Sequence, residues 1–109
     1  MTTPNPRCAV VIPTYNCAEY LPAALESVAA QGVAELEVIV IDDGSDDHTA
    51  AVLKRAATLP GLGRLRCFQT RQIGPGLARN LGVEVARAPL IEALDADDVW
   101  LPGKLAPQL

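Results

Sequence analysis

The stretch Leu36-Glu37-Val38-Ile39-Val40-Ile41-Asp42-Asp43-Gly44-Ser45 decides how this chain folds. Val38 to Ile41 are all β-branched, which favours extended backbone. They do not alternate with polar residues, so both faces of the strand must be covered, as happens in a parallel sheet. The run then stops abruptly. Asp42-Asp43-Gly44-Ser45 is a turn signal, with Gly44 suited to a positive φ and Ser45 or Asp46 suited to capping a helix.

Reading outward from this strand, the same pattern recurs. Cys8-Ala-Val-Val-Ile12 is a short apolar run ended by Pro13. Arg64 to Gln69 is a weaker one. Pro89-Leu-Ile-Glu-Ala-Leu94 is a fourth, ended by Asp95-Ala96-Asp97-Asp98. Helical spacing fills the gaps. Leu21 to Gln31 sets Leu21, Leu25 and Val28 on one face, with Pro22 in the first turn and Gly32 as a stop. Asp46 to Leu59 aligns Ala50, Leu53 and Ala57, and Pro75 to Ala86 aligns Leu77, Leu81 and Val85. Pro102 is placed to open a last helix. The order β-α-β-α-β-α-β predicts a three-layer α/β/α domain with a mainly parallel sheet of about four strands. Ligands of such sheets bind beyond the carboxyl ends of the strands. Pro13-Thr-Tyr15-Asn16, Asp42-Asp43 and Asp95 to Asp98 all fall there.

The chain has 109 residues, enough for one domain. Half of them are apolar and 20% are charged, which fits a packed core rather than disorder. A net charge of −4 argues against a nucleic-acid partner, which normally meets a basic face. Residues 1–7 are polar, hold two prolines and read as a disordered or extended tail, leaving 8–109 as the domain. The tail has no signal-peptide core, and no apolar run approaches the roughly 20 residues of a membrane span. Cys8, Cys17 and Cys67 show no metal or redox spacing; Cys8 and Cys67 lie in strand-like runs and read as small buried thiols. Unpaired thiols fit a reducing, cytoplasmic compartment, or the inner face of a membrane if the domain belongs to a longer protein.

Three carboxylates within Asp95 to Asp98 repel one another unless solvent or a cation relieves them. Their hard oxygens suit Mg²⁺ or Mn²⁺, which commonly bridge protein carboxylates and substrate phosphates. In an extended segment Asp95 and Asp97 would point the same way. The blander reading is a solvated acidic turn. Asp42 and Ser45 read mainly as turn formers, whereas the Asp43 carboxylate suits a hydrogen bond from a base N–H such as a uracil imide. Tyr15 either stacks on a base or packs the rim. Arg79 either neutralises phosphate or is a solvated helix charge. Gly74 and Gly76 form a turn that also admits close approach of a diphosphate. His48 reads as a surface residue, and Trp100-Leu101 as an anchor for the acidic loop. No Walker lysine, no Gly-x-Gly-x-x-Gly loop and no nucleophile–histidine pair is present.

These segments together resemble glycosyltransferase family 2, of the GT-A, Rossmann-like superfamily. Val11-Ile-Pro-Thr-Tyr-Asn16 with Tyr20-Leu21, Val40-Ile-Asp-Asp-Gly-Ser-Asp46 with Thr49, Gly74 with Ala78-Arg-Asn80 and Gly82, and Leu94-Asp-Ala-Asp-Asp98 with Trp100 and Pro102 carry the match. Ser27-Val28 and Gln31 fit as well. The resemblance implies transfer of a sugar from a nucleoside diphosphate, UDP favoured, to an acceptor hydroxyl, with inversion. It implies that Pro13 and Tyr15 line the nucleoside pocket, that Asp43 contacts the base, and that Arg79 lies near base or diphosphate. It further implies that Asp97 binds the divalent metal and Asp95 the ribose or a metal-bound water. Gln72 stands where asparagine is usual, and Glu92 where an apolar or aromatic residue is. Family domains run to more than twice this length, and the general base belongs to the further half, so this chain is expected to bind donor without catalysing transfer alone. Its last strand would be an open edge prone to self-association. A non-catalytic nucleotide-binding remnant is the main alternative. A haloacid-dehalogenase-type phosphatase would place its Asp-x-Asp early in the domain, and a receiver domain would place its acidic pair after the first strand.

Overall fold

A computed structural model describes residues 5–62, 64–105 and 107. Four strands and three helices alternate: β1 (Cys8–Thr14), α1 (Leu21–Ala29), β2 (Leu36–Asp42), α2 (Thr49–Ala56), β3 (Leu65–Gln69), α3 (Pro75–Val85) and β4 (Leu90–Ala93). All strand pairings are parallel and the sheet order is β3-β2-β1-β4. The chain walks from β1 outward to β3, then returns through α3 to the other side of β1. The order therefore reverses between β1 and β4, where the crevice of such a sheet opens.

The two central strands pair over their whole length, from Cys8 opposite Leu36 to Thr14 opposite Asp42. Even-numbered residues of β1 and β2 (Cys8, Val10, Ile12, Leu36, Val38, Val40) pack with α1 and α2. Odd-numbered residues (Ala9, Ile39, Ile41) pack with Ala78, Leu81 and Val85 of α3. This gives the expected α/β/α layers, with every residue of β2 buried. Cys8 is sealed in the first cluster; burial, then the charges of Glu92 and Glu37, push its thiol up to about 11, so it stays protonated. Cys67 instead lies exposed, because β3 is an edge strand.

Several local expectations shift. The buried face of α2 is Thr49, Leu53 and Ala56, with Ala50 and Ala57 outside. The helix starts at Thr49 rather than Asp46, because the Asp47 carboxylate accepts the Thr49 N–H at 3.0 Å and so ends the loop there. On α3 the small residues Ala78 and Gly82 take the buried positions, and Leu77 is exposed. The helix lies too close to β1 for a larger side chain: a Cβ on Gly82 would sit 2.3 Å from Val11 Cγ1. From Pro102 to Leu105 the chain makes turns, not a helix, and residues 106, 108 and 109 lie outside the described residues. Of the tail expected over 1–7, residues 1–4 also lie outside them; the Arg7 N–H donates to the Glu35 carbonyl at 2.8 Å. No helix among the described residues is long and apolar enough to cross a membrane.

One charge is buried in the apolar β2. Glu37 is 2% exposed. It accepts Arg66 Nη2 at 2.8 Å and the backbone N–H groups of Arg87 and Ala88, each at 2.7 Å. These donors satisfy the carboxylate and tie β3 and the α3–β4 link to the centre of the sheet, at the end remote from the crevice. Glu37→Ala removes the shared acceptor and should lower stability by about 3 kcal/mol in urea unfolding, since breaking a buried pair strands the remaining partners. Gly82→Ala tests the close approach of α3. Helix propensity alone would stabilise it by about 1 kcal/mol. Overpacking against Val11 costs roughly 1–3 kcal/mol, so a net loss is expected, and Val11→Ala in the same chain should relieve it.

Candidate functional site

The three polar clusters meet at the carboxyl ends of β1, β2 and β4. Hydrogen bonds continue past the strands: Asp43 N–H to the Thr14 carbonyl (2.8 Å), Thr70 N–H to the Asp42 carbonyl (2.9 Å) and Leu94 N–H to the Val11 carbonyl (3.0 Å). The loops after β1 and β2 are cross-linked. Asn16, in the left-handed region at φ 50°, donates its N–H to Ser45 Oγ at 3.0 Å and accepts the Asp46 N–H on Oδ1 at 2.9 Å. The Asp47 carboxylate takes the Ala18 N–H at 3.1 Å as well as the hydroxyl and N–H of Thr49. Asp42 accepts the Ser45 N–H at 3.1 Å, the turn role expected of that pair.

Asp43 is the organising carboxylate of the rim. It is 6% exposed and accepts Thr70 Oγ1 (2.6 Å) and the Ile73 N–H (2.8 Å) on one oxygen, and the Gly74 N–H (2.9 Å) on the other. Burial alone would raise its pKa. The donors from Thr70, Ile73, Gly74 and Gln72 outweigh burial and hold it below the ordinary 3.8. Gly74, at φ 93°, lets the chain turn into α3, where Pro75 needs no donor partner. Asp43 thus sets the shape of residues 70–74 and the start of α3.

Clefts open on both sides of this anchor. One of about 250 Å³ is lined by Pro13, Thr14, Tyr15, Asp43, Pro75 and Ala78. Another of about 280 Å³ is lined by Tyr15, Asp43, Gln72, Gly74 and Pro75. They share Tyr15, Asp43 and Pro75, so they are neighbours around the same three residues. Tyr15 is 48% exposed, and its hydroxyl accepts a hydrogen bond from Gln72 Nε2 at 2.8 Å. A cleft of about 360 Å³ brings Arg79 of α3 beside Asp95, Asp98, Val99 and Trp100. Pro13, Tyr15 and Asp43 are therefore brought together, and so are Arg79 and Asp95. Asp97 lines none of these clefts. A larger cavity of about 420 Å³ lies away from the rim, between α1 and α2.

The acidic segment is not extended. The Asp98 N–H donates to the Asp95 carbonyl at 3.0 Å, closing a turn around Ala96 and Asp97. Ala96 is buried and pulls the backbone inward, so alternation of side chains across a strand does not apply. Asp95, Asp97 and Asp98 all face solvent. No group of three or more potential ligands is assembled around a single point among the described residues. Exposed carboxylates on a turn fit a hard cation in the manner of one or two protein oxygens completed by phosphate and water. They do not fit a closed protein cage. Of the two anchors expected after the turn, Trp100 packs against the core, whereas Leu101 is 76% exposed.

The glycosyl transferase family 2 model matches residues 9–109. The chain belongs to this family. It is 40% identical to the succinoglycan biosynthesis protein ExoU of Rhizobium meliloti over 97 residues, covering 88% of this chain and 28% of that protein. Staphylococcus aureus TarS 1-349 in complex with UDP-GlcNAc superposes with a TM-score of 0.82 at 29% identity, over 94% of this chain and 29% of that one. The mannosyltransferase PcManGT from Pyrobaculum calidifontis, in complex with GDP-Man and Mn²⁺, does so with a TM-score of 0.82 at 31% identity, over 93% and 30%. The chain thus spans less than a third of each of these three proteins. The GT-A fold expected from the motifs is the fold observed.

In this family 2 chain, sequence reading missed Thr70 and underrated Gln72. Thr70 carries no motif signal, since a lone threonine after a weak strand is an ordinary loop residue. In the sequence Gln72 stands out only as a replacement for asparagine. It sits at φ 57°, a conformation asparagine tolerates better, and is held by its bond to Tyr15. The Asp43 anchor predicts an acid-sensitive rim. Its folded pKa lies below the unfolded value, so its contribution is complete above about 3.8 and is lost as pH falls through the lowered value. Asp43→Asn should therefore lose stability at neutral pH and show a flatter decline below pH 4 than the parent chain, measured by urea midpoints across pH.

Proposed function

We propose that this chain forms the donor site of an inverting glycosyl transfer, holding a nucleoside-diphosphate sugar, a UDP-sugar by preference, for attack by an acceptor hydroxyl. One observation carries the reading. A hollow lined by an aromatic ring and an anchored carboxylate lies beside a second cleft that carries an arginine and the acidic turn, at the switch point of a parallel sheet. A base in the first and a diphosphate in the second would satisfy both. The UDP-GlcNAc complex of TarS and the GDP-Man complex of PcManGT support a nucleotide-sugar ligand and leave the base to be decided between uracil and guanine.

In this reading Tyr15 lies against the base and Pro13 walls the pocket. Asp43, which lines both parts of this pocket, accepts a base N–H. Arg79 offsets diphosphate charge from the α3 side. Asp97 holds the divalent cation, Mg²⁺ or Mn²⁺, with Asp95 on the ribose or a metal-bound water. Bound there, the cation would act as a Lewis acid that stabilises the departing diphosphate. The acceptor base is assigned to no residue of this chain, so donor binding is expected of it without transfer. Among the described residues β4 is an edge strand, which would give the chain a route to pair with a second copy.

Calorimetric titration of UDP and then GDP, with and without Mn²⁺, checks this. Binding of one nucleotide should strengthen with Mn²⁺, and Asp97→Ala should abolish that gain while leaving the fold intact. A folded chain that binds neither nucleotide under either condition would overturn the proposal.

A further inference from the structure

The segment that follows the acidic turn is fastened to α1. Ser27 Oγ accepts the Trp100 N–H at 3.0 Å while donating to the Ala24 carbonyl at 2.7 Å. Gln31 Nε2 donates to the Leu101 carbonyl at 2.9 Å, and Gln31 Oε1 accepts the Leu105 N–H at 2.9 Å. One amide thus satisfies backbone groups four residues apart. Leu105 is fully buried, and Trp100 packs into the cluster formed by α1 and the sheet. The other end of the turn is fixed by the Leu94 N–H on the Val11 carbonyl and by buried Ala96.

We infer that Ser27 and Gln31 are positioning residues for the acidic turn, acting through the backbone of residues 100–105 on the carboxylates of Asp95, Asp97 and Asp98. Two steps of about 3.8 Å separate Asp98 from Trp100, so holding the Trp100 amide confines Asp98 closely. The three carboxylates repel, and a free loop would relax by spreading them. A backbone pinned at Leu94 and at Trp100 limits that spreading and keeps Asp95 and Asp98 beside Arg79. Neither Ser27 nor Gln31 touches the clefts, and both lie across the sheet from α3. The inference rests on the donor-site reading above, because it gives the pinned turn a cation to receive.

Trp100 is the chain's one tryptophan, so its emission reports on this segment alone. UDP would be titrated with and without Mn²⁺ into the parent chain, Ser27→Ala, Ser27→Thr, Gln31→Ala and Gln31→Glu. Trp100 quenching by Mn²⁺ and amide hydrogen exchange would be followed alongside. The two alanine variants should keep metal-free UDP affinity within about twofold and lose about tenfold of the Mn²⁺-dependent gain, the loss typical of an outer residue that orients metal ligands. Trp100 and Leu105 amides should exchange faster, with β2 amides unchanged. Ser27→Thr should restore the gain. If Gln31→Ala fails to fold, Gln31→Glu, which keeps the acceptor for Leu105 and loses the donor to Leu101, carries the test with Ser27→Ala. Faster Trp100 exchange with an undiminished Mn²⁺ gain would overturn this inference alone. A parent chain with no Mn²⁺-dependent UDP binding would overturn the donor-site reading, and this inference with it.

Discussion

The pairing of β1 with β2 is the constraint on which the rest of the domain depends. Both strands are apolar on both faces, so neither face can be left to water. Parallel pairing satisfies their backbone groups and demands a helical layer above and below. Once α1 and α2 cover one face, the chain must cross to the other, and α3 is the element that does so. The reversal of strand order beside β1 follows from that crossing, and so does the crevice. The site is where it is because two strands have nowhere polar to point except at their ends.

At those ends, polar groups are used first to hold loops. The Asp43 carboxylate joins the end of β2 to residues 70–74 and the start of α3, and Asn16 and Asp47 join the loops after β1 and β2. Most of these contacts link residues about 30 positions apart in sequence. The rim is therefore a mesh in which each loop's shape is set by its neighbours. Thermodynamically this matters because a carboxylate buried among fixed donors is stabilised without solvent, and it stays ionised to lower pH than an ordinary aspartate.

Much of this was legible in the residues. Val38 to Ile41 announced a doubly covered strand, and the alternation with helical spacing announced the layers. The positions of Pro13, Tyr15, Asp43 and Asp95 around neighbouring clefts follow from strand ends, and that of Arg79 from the start of the third helix. Other features were not legible, for physical reasons. Periodicity favours large apolar residues, so it chose Leu77 for the buried face of α3, where close packing required Ala78 and Gly82. Local composition could not show that Ala96 turns inward and folds the acidic segment into a turn. The role of Glu37 could not be read from the apolar run around it, because its donors come from Arg66, Arg87 and Ala88, 29 to 51 positions later. Pairwise long-range bonds leave no local trace in a sequence.

The missing side chain at Gly82 has a mechanical meaning for the arginine three residues earlier. With no Cβ between them, α3 lies directly on Val11 of β1 and has no room to roll. Arg79 is thus mounted on a rigid strut, not on a hinge. An anion arriving at its guanidinium needs to immobilise only the rotamers of one side chain, because the backbone that carries it has already lost its freedom in folding. Gly82 would thereby lower the entropy lost at Arg79 on binding such an anion.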